Sequence, residues 1–188
     1  NLDTLGLRED TIIIFQSDNG HSTEERAHFG GGNTGVFRGA KACLFEGGIR
    51  VPAAISWPAR LPSGGSRGQL SSNTDWLPTL AELCELDMPD TMIEGKSLVP
   101  VLRDPQAASV HGGVYHWEFR GQWVARDGRW KLLGNPVDKS AKAPLGANDK
   151  LFLVDLENDP GELTNLASRY PQKVETLKQS YLTWKNSF

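Results

Sequence analysis

Two adjacent side chains, Asp18 and Asn19, offer the oxygen ligands that a hard cation prefers. They follow an apolar run, and Gly20 comes next, which allows the backbone to turn sharply. An ordinary turn contains the same residue types, so the pattern alone leaves both interpretations open. Calcium takes about six to eight oxygens, and no second acidic pair follows a strand downstream. A metal at Asp18 and Asn19 would therefore need ligands from sequence that is not present here.

A cationic group follows at Arg38 and Lys41, with Gly39 between them. Such a cluster can bind a tetrahedral oxyanion, with the lysine acting as a point charge on its oxygens. The alternative is a solvated basic loop. The sequence by itself does not decide between an anion site and a loop.

Three histidines are candidates for acid–base chemistry or substrate contact, because histidine titrates near neutral pH. His21 and His28 lie in the polar segment after Asn19, and His116 lies beside Trp117, where it could line a sugar pocket. Solvated loop histidines are the alternative. The tryptophans of this region are predicted to pack in the core or on hairpin faces.

The elements that position these residues follow from the apolar pattern. The run 11–16, TIIIFQ, predicts a strand buried on both faces. Ligands of α/β proteins bind at the carboxyl ends of such strands, where Asp18 and Asn19 would lie. A long Gly-rich loop is predicted for 21–39 and a second strand for 49–55.

The second half of the chain has a different pattern. A helix is predicted for 75–86, with Thr74 or Asp75 as its cap. Short antiparallel strands are predicted from residue 110 onward, with a tight hairpin turn at Asp127-Gly128, and a closing helix is predicted for 171–184.

These elements predict an α/β fold with two parts. Residues 1–105 would belong to a larger mixed sheet with helices. Residues 106–188 would form a small α+β subdomain with an antiparallel sheet and a terminal helix.

Composition excludes several classes of protein. With 20 basic and 23 acidic side chains the net charge is -3, so no nucleic-acid partner is expected. No apolar run approaches the roughly 20 residues of a transmembrane helix, so no membrane partner is expected either. Cys43 and Cys84 lack metal-site spacing.

Longer stretches resemble the sulfatase family, in its arylsulfatase and N-acetylgalactosamine-6-sulfatase branch of the alkaline phosphatase-like superfamily. The matching runs are SDNG, a Gly-rich loop, RGAKACLFEGGIRVPAAISWPARLPSG, TDWLPTLAELCEL, IEGKSLVPVL, WVARDGRWKLL and LFLVDLENDPGELTNLA. The resemblance implies an alkaline phosphatase-like sheet and hydrolysis of aryl or carbohydrate sulfate esters. It places Asp18 and Asn19 on two metal ligands, and Lys41 on the lysine that contacts the sulfate and the nucleophile.

The resemblance also implies two cofactors: Ca²⁺, with Mg²⁺ as the alternative, and a formylglycine made from Cys or Ser in an upstream motif Cys/Ser-x-Pro/Ala-x-Arg. Cys43 and Cys84 do not fit that motif. Ser56, with Pro58 and Arg60, fits its minimal form, but it lies downstream of the metal strand and is followed by residues that cannot continue a helix. We therefore expect the nucleophile to lie in a missing N-terminal part of the same enzyme, and this chain alone to be inactive.

The predicted substrate is a sulfate ester, for example a sulfated glycan. Lys41 is the predicted catalytic residue, and Lys41, Arg38, His21 and His116 are the predicted substrate contacts. Two alternatives are a phosphate or phosphonate ester hydrolase of the same superfamily and a non-catalytic module that binds sulfated glycans. A periplasmic or secreted location follows from the resemblance alone.

Overall fold

A computed structural model describes residues 1–25, 30–140 and 142–188. Its elements in chain order are β1 (Ile13–Gln16), α1 (Glu46–Ile49), β2 (Ala53–Ser56), a single 3₁₀ turn (Asn73–Asp75), α2 (Trp76–Leu83), α3 (Val99–Arg103), β3 (Val114–Phe119), β4 (Gln122–Asp127), β5 (Trp130–Gly134), β6 (Leu151–Asp155) and α4 (Pro171–Lys185). The predicted α/β class, with an antiparallel sheet and a closing helix in the second half, is confirmed.

The described chain forms two compact units. The first consists of Asn1–Phe15 and Ala54–Gly112, and the second consists of Gln16–Ala53 and Gly113–Phe188. The predicted domain boundary between residues 105 and 106 stays a prediction. Among the described residues, no helix has both the length and the apolar character needed to cross a membrane.

Strand β1 is more exposed in this chain than predicted, and strand β2 begins later than predicted. Ile13 is 42% exposed and Phe15 is 64% exposed, so the described residues leave this strand partly uncovered, and its burial on both faces within a larger sheet stays a prediction. Within the described residues β1 pairs only with β2, which leaves its apolar side chains uncovered. The second strand begins at Ala53, after Pro52, because proline cannot donate to a strand ladder.

Helix α2 in the first unit begins at Trp76, and Asp75, one of the two predicted caps, is its N-cap residue. Ser72 and Asp75 also form a capping box around the preceding 3₁₀ turn. The fully buried Asp75 carboxylate accepts from Ser72 N at 2.7 Å and from Lys96 N at 2.9 Å, and it lies 2.8 Å from His111 Nε2. Asp75 therefore holds the start of α2 to later parts of its own unit.

The second unit is built around a four-stranded antiparallel sheet in the order β3-β4-β5-β6. Side chains alternate between its two faces. One face packs against α4 through residues that include Ala125, Leu132 and Leu177. Trp123 stacks on Tyr181 of α4 with ring centroids 4.2 Å apart, which confirms the packing role predicted for this tryptophan.

The opposite face of the sheet covers the segment before α1. Leu44 and Phe45 pack there against Val124, Leu133 and Phe152. The four-stranded sheet thereby fixes the part of the chain that follows Lys41.

The hairpin between β4 and β5 turns one residue later than predicted. Asp127 pairs with Trp130, so the two-residue turn is Gly128-Arg129. Gly128 has a φ of 55°, a conformation that favours glycine at the first position of such a turn.

Candidate active site

A cavity of about 790 Å³ opens in the second unit. Its described lining comes from residues 17–22 after β1, from four residues of the Gly-rich segment, and from the segment around α1, and includes Asp18, Asn19, His21, Lys41 and Arg50. Four predicted site residues therefore share one cavity. Arg38 and His116 are not among its lining residues.

Close backbone contact positions the turn that carries Asp18 and Asn19. Gly20 N donates to Gly48 O at 2.9 Å. A Cβ atom at Gly20 would lie only 1.9 Å from Gly47 O, which no side chain can do without moving the backbone. Glycine at position 20 is therefore required for the turn to lie against α1.

Lys41 lines the cavity and has one distant ion-pair partner among the described residues. Its backbone N donates to His21 O at 2.9 Å, which ties its segment to the turn after β1. Its Nζ lies 3.7 Å from Glu24 Oε2, and the two side chains are 37% and 44% exposed. A pair this long and this exposed contributes little, so an anion in the cavity can replace it.

The His21 side chain packs against the Gly-rich segment. A Cβ at Gly32 would lie 2.4 Å from the His21 Cβ, so glycine lets the two backbones approach. The His21 Nδ1 is buried and has no hydrogen-bond partner among the described residues. His28, the other loop histidine, lies outside the described residues.

Sequence reasoning missed Arg50 as a cavity residue. Its guanidinium lies over the Phe37 ring at 4.6 Å, its Nη1 is 3.7 Å from Glu46 Oε2, and its side chain is 56% exposed. The signal for it was its position four residues after Glu46, at the end of the helical turn α1. Arg50 adds a second cation to the cavity that holds Lys41.

Arg38 has a structural environment. Its side chain is 1% exposed, and Nε donates to Asp138 Oδ2 at 2.6 Å. The remaining nitrogens donate to Glu162 O at 2.8 Å and to Ala143 O at 2.5 Å, and the guanidinium lies 4.2 Å from the Phe45 ring centroid. Arg38 thus ties the Gly-rich segment to the C-terminal half of its unit. Its predicted contact with a substrate stays a prediction.

Arg38 also sets the charge of its partner. Burial alone would raise the pKa of Asp138, but hydrogen bonds from Arg38 and Ser140 outweigh burial and lower it. The Arg38–Asp138 pair is therefore ionised and locally neutral.

His116 lies between β3 and α4. Its Nε2 is 3.0 Å from Ser180 Oγ, its ring stacks on Trp184 with centroids 5.3 Å apart, and burial lowers its pKa. These contacts are with the closing helix. The sugar pocket predicted for His116 stays a prediction.

Sequence reasoning missed a buried ion cluster that includes Glu46, the residue before the cavity-lining Gly47. Lys131 Nζ on β5 lies 2.9 Å from Glu46 Oε1 and 2.9 Å from Glu162 Oε1, and all three side chains are at most 1% exposed. Glu46 N also donates to Glu162 Oε2 at 2.5 Å, so a carboxylate holds the first residue of α1.

The two carboxyl groups of this cluster respond oppositely to their surroundings. Burial would raise the pKa of Glu46, but Lys131, with Arg126 and Arg50, more than offsets burial and lowers it. Burial raises the pKa of Glu162, and Lys131 only partly counters this because Glu46 repels a second negative charge. The single Lys131 ammonium group lies beside two buried carboxyl groups, and Glu162 retains its proton more readily than Glu46 does.

The donor set for a metal is incomplete in the described part of the chain. There, no three His, Cys, Asp or Glu side chains cluster so that they could hold an ion. Asp18 and Asn19 offer two oxygens to the cavity, which suit a hard divalent cation but fall short of the roughly six that one requires. The residues fit part of such a site.

Sequence comparison finds one family and several relatives that match most of this chain. A family model described as N-sulphoglucosamine sulphohydrolase, C-terminal, matches residues 32–185. Human arylsulfatase A is 34% identical over 197 aligned positions, covering 95% of this chain and 38% of that protein. Mouse steryl-sulfatase is 34% identical over 188 positions, covering 86% of this chain and 30% of that protein.

Comparison with solved structures also finds a sulfatase. A Bacteroides thetaiotaomicron sulfatase, solved in work on the metabolism of multiple glycosaminoglycans, superposes with a TM-score of 0.74 at 25% identity and covers 98% of this chain and 41% of that chain. The chain spans well under half the length of these relatives.

Proposed function

This chain belongs to the sulfatase family, and we propose that it forms the C-terminal part of an enzyme that hydrolyses sulfate esters. The observation that carries the proposal is the single cavity that Asp18, Asn19 and Lys41 line together. These are the residues that the family resemblance places on metal ligands and on the sulfate-binding lysine.

In this proposal Asp18 and Asn19 hold a divalent cation, Ca²⁺ or alternatively Mg²⁺, through one carboxylate and one amide oxygen. When bound, the cation would neutralise negative charge on the sulfate. Its other ligands would come from residues outside this sequence. The contact of Gly20 with Gly48 keeps both side chains at the cavity.

Lys41 is proposed to bind a sulfate oxygen and to stabilise the charge that develops as the S–O bond to the leaving group breaks. Its exposed ammonium exchanges the distant Glu24 carboxylate for the substrate, which costs little because that pair is weak. Arg50 adds positive potential from the same wall of the cavity.

The attacking group is proposed to be a formylglycine outside this sequence. Cys43 is buried, and burial raises the pKa of its thiol, which disfavours the reactive thiolate. Ser56 accepts a hydrogen bond from Arg8, and the residues after it form a turn in which Arg60 N donates to Trp57 O at 3.1 Å. Neither residue lines the cavity.

A sulfated sugar is the proposed type of substrate. The cavity of about 790 Å³ is in the range of pockets that hold whole small molecules and is much larger than one sulfate group. The cavity must also receive the remaining cation ligands and the attacking group that we propose lie outside this sequence. The glycosaminoglycan context of the Bacteroides relative supports the same class.

The test uses the complete enzyme that contains this chain, with 4-nitrophenyl sulfate and 4-nitrophenyl phosphate as matched substrates. We expect sulfate to be preferred and Lys41→Gln to lower kcat/KM at least about 100-fold. Lys150→Gln, at an exposed position outside the cavity, should leave it unchanged.

Three outcomes would contradict parts of this proposal. A strong preference for the phosphate would assign the enzyme to phosphoester hydrolysis. Binding of a sulfated disaccharide without turnover would support a non-catalytic module. Turnover of the aryl sulfate by the purified 188-residue chain would show that no external nucleophile is needed.

A further inference from the structure

A second, smaller cavity of about 240 Å³ adjoins the proposed active site. His21, Gly32, Asn33 and Thr34 line both cavities, so a group bound in one lies next to the other. The rest of its described lining includes two lysines, Lys139 and Lys142, from the segment after β5.

These lysines give the smaller cavity a net positive charge. No carboxylate lies among its described lining residues. The nearby Asp138 is already paired with the buried Arg38 at 2.6 Å, so it does not neutralise either lysine. The described lining of the cavity therefore contains two cationic residues and no anionic one.

The two lysines differ in how they are held. Lys142 Nζ donates to Gly35 O and, at 2.7 Å, to Phe37 O, which fixes the ammonium and leaves one N–H without an acceptor among the described residues. Lys139 is exposed, and the described residues provide no ion-pair partner for it. Lys142 is thus held by two backbone carbonyls, whereas Lys139 is exposed.

The other polar side chains at this cavity are less available. Thr34 Oγ1 donates to Phe37 O at 2.8 Å, and Ser140 Oγ donates to Asp138 Oδ1 at 2.7 Å. Neither hydroxyl has a proton left for a ligand. Asn33 and Thr23 also line the cavity as neutral polar residues, and Lys139 and Lys142 are its cationic ones, which favour an anionic partner.

We propose that the smaller cavity is a subsite for a second anionic group of the substrate, a carboxylate or a second sulfate, and that Lys139 and Lys142 select for it. This inference rests on the proposed sulfatase function, because it places the scissile sulfate in the larger cavity. The shared wall restricts the second anion to the same sugar or its immediate neighbour.

The test measures binding, and all proteins in it carry alanine in place of the proposed formylglycine precursor so that the ligands are not hydrolysed during the titration. The complete enzyme is titrated with three disaccharides: one with a single sulfate and no other charge, one with an added uronate carboxylate, and one with a second sulfate in its place. The variants are Lys139→Gln, Lys139→Arg and the control Lys150→Gln. Lys139 is chosen over Lys142 because Lys142 also holds two backbone carbonyls.

We expect the wild type to bind at least one dianionic disaccharide about five- to tenfold more tightly than the monosulfate. Lys139→Gln should reduce that preference about three- to fivefold without changing the Kd of the monosulfate. Lys139→Arg should retain most of the preference, and Lys150→Gln all of it. The ligand that loses affinity identifies the anion as carboxylate or sulfate.

Equal wild-type affinities for the three disaccharides would overturn the inference, as would an equal loss for all three in Lys139→Gln. A failure to hydrolyse 4-nitrophenyl sulfate would instead count against the proposed function. The two failures are distinguishable because the first is seen in binding and the second in turnover.

Discussion

Replacing Lys131 with methionine removes the only ammonium group of the cluster it forms with Glu46 and Glu162. Methionine preserves most of the apolar stem, so the change isolates the charge. Nζ lies 2.9 Å from one oxygen of each carboxyl group, which for an ionised carboxylate corresponds to an attraction of roughly 6 kcal/mol at an effective dielectric constant of about 20. The contact with Glu162 contributes less, because that carboxyl group retains its proton more readily. The cost of burying the ammonium offsets a large part of this sum.

The net effect of Lys131→Met should be a loss of about 3–5 kcal/mol in the free energy of unfolding near neutral pH, because two buried carboxyls are left without their ammonium. Arg126 and Arg50, each 3.7 Å from Glu46 Oε2, compensate only weakly. The measurement is the urea-unfolding midpoint of the complete enzyme, followed by tryptophan fluorescence. Lys150→Met, at an exposed position, is the control.

The pH dependence provides the sharper check. In the wild type the lowered pKa of Glu46 gives stability that is present above its unfolded pKa and lost as pH falls through its folded pKa. The raised pKa of Glu162 acts oppositely: its contribution is present below the unfolded pKa and is lost as pH rises through the folded pKa.

In Lys131→Met both carboxyls are buried without the ammonium, so both should bind protons more tightly in the folded state. The deficit relative to the wild type should then shrink as pH is lowered from about 8 to about 5. A deficit below about 1 kcal/mol, or one that is constant across this range, would refute the account of the cluster.

Two further predictions concern the geometry of the active site. Gly20→Ala should lower kcat/KM for an aryl sulfate at least about tenfold, because its Cβ would meet Gly47 O at 1.9 Å and displace the turn. Gly31→Ala, whose Cβ would have no atom of the described residues within 4 Å, is the matched control, and equal effects of the two would contradict the argument. Arg38→Lys should lower the free energy of unfolding by about 2–3 kcal/mol, measured by urea denaturation, because lysine cannot reach the same three acceptors. A raised KM with unchanged stability would show instead that Arg38 binds substrate.

Much of the second unit could be predicted from sequence, because its strands have regular alternation and clear turn residues. The helix 171–184 and the strands after residue 110 follow from periodicity, and α4 and β3 to β6 lie where it places them. The turn at Gly128-Arg129 was misplaced by one residue, since Asp-Gly and Gly-Arg both suit a two-residue loop.

The first half was less predictable for a physical reason. TIIIFQ is apolar enough for a central strand, but its burial depends on what covers it, and Phe15 remains 64% exposed. The second strand was predicted to begin at Ile49, yet close packing of Gly47 and Gly48 against backbone carbonyls places that residue at the end of a helical turn. Contacts between residues far apart in sequence determine both outcomes.

The cations of the second unit show why residue type alone could not identify the site. Arg38 and Lys131 are buried, and fixed carboxylates and carbonyls already accept their protons. Removing either from its partners to bind a substrate would strand a buried charge, which costs several kcal/mol. Lys41 is partly exposed and weakly paired, and Lys139 is exposed and has no ion-pair partner within the described residues, so binding an anion costs them little. The basic side chains that can bind substrate are consequently those the fold leaves accessible, and in the sequence they look no different from those that hold it together.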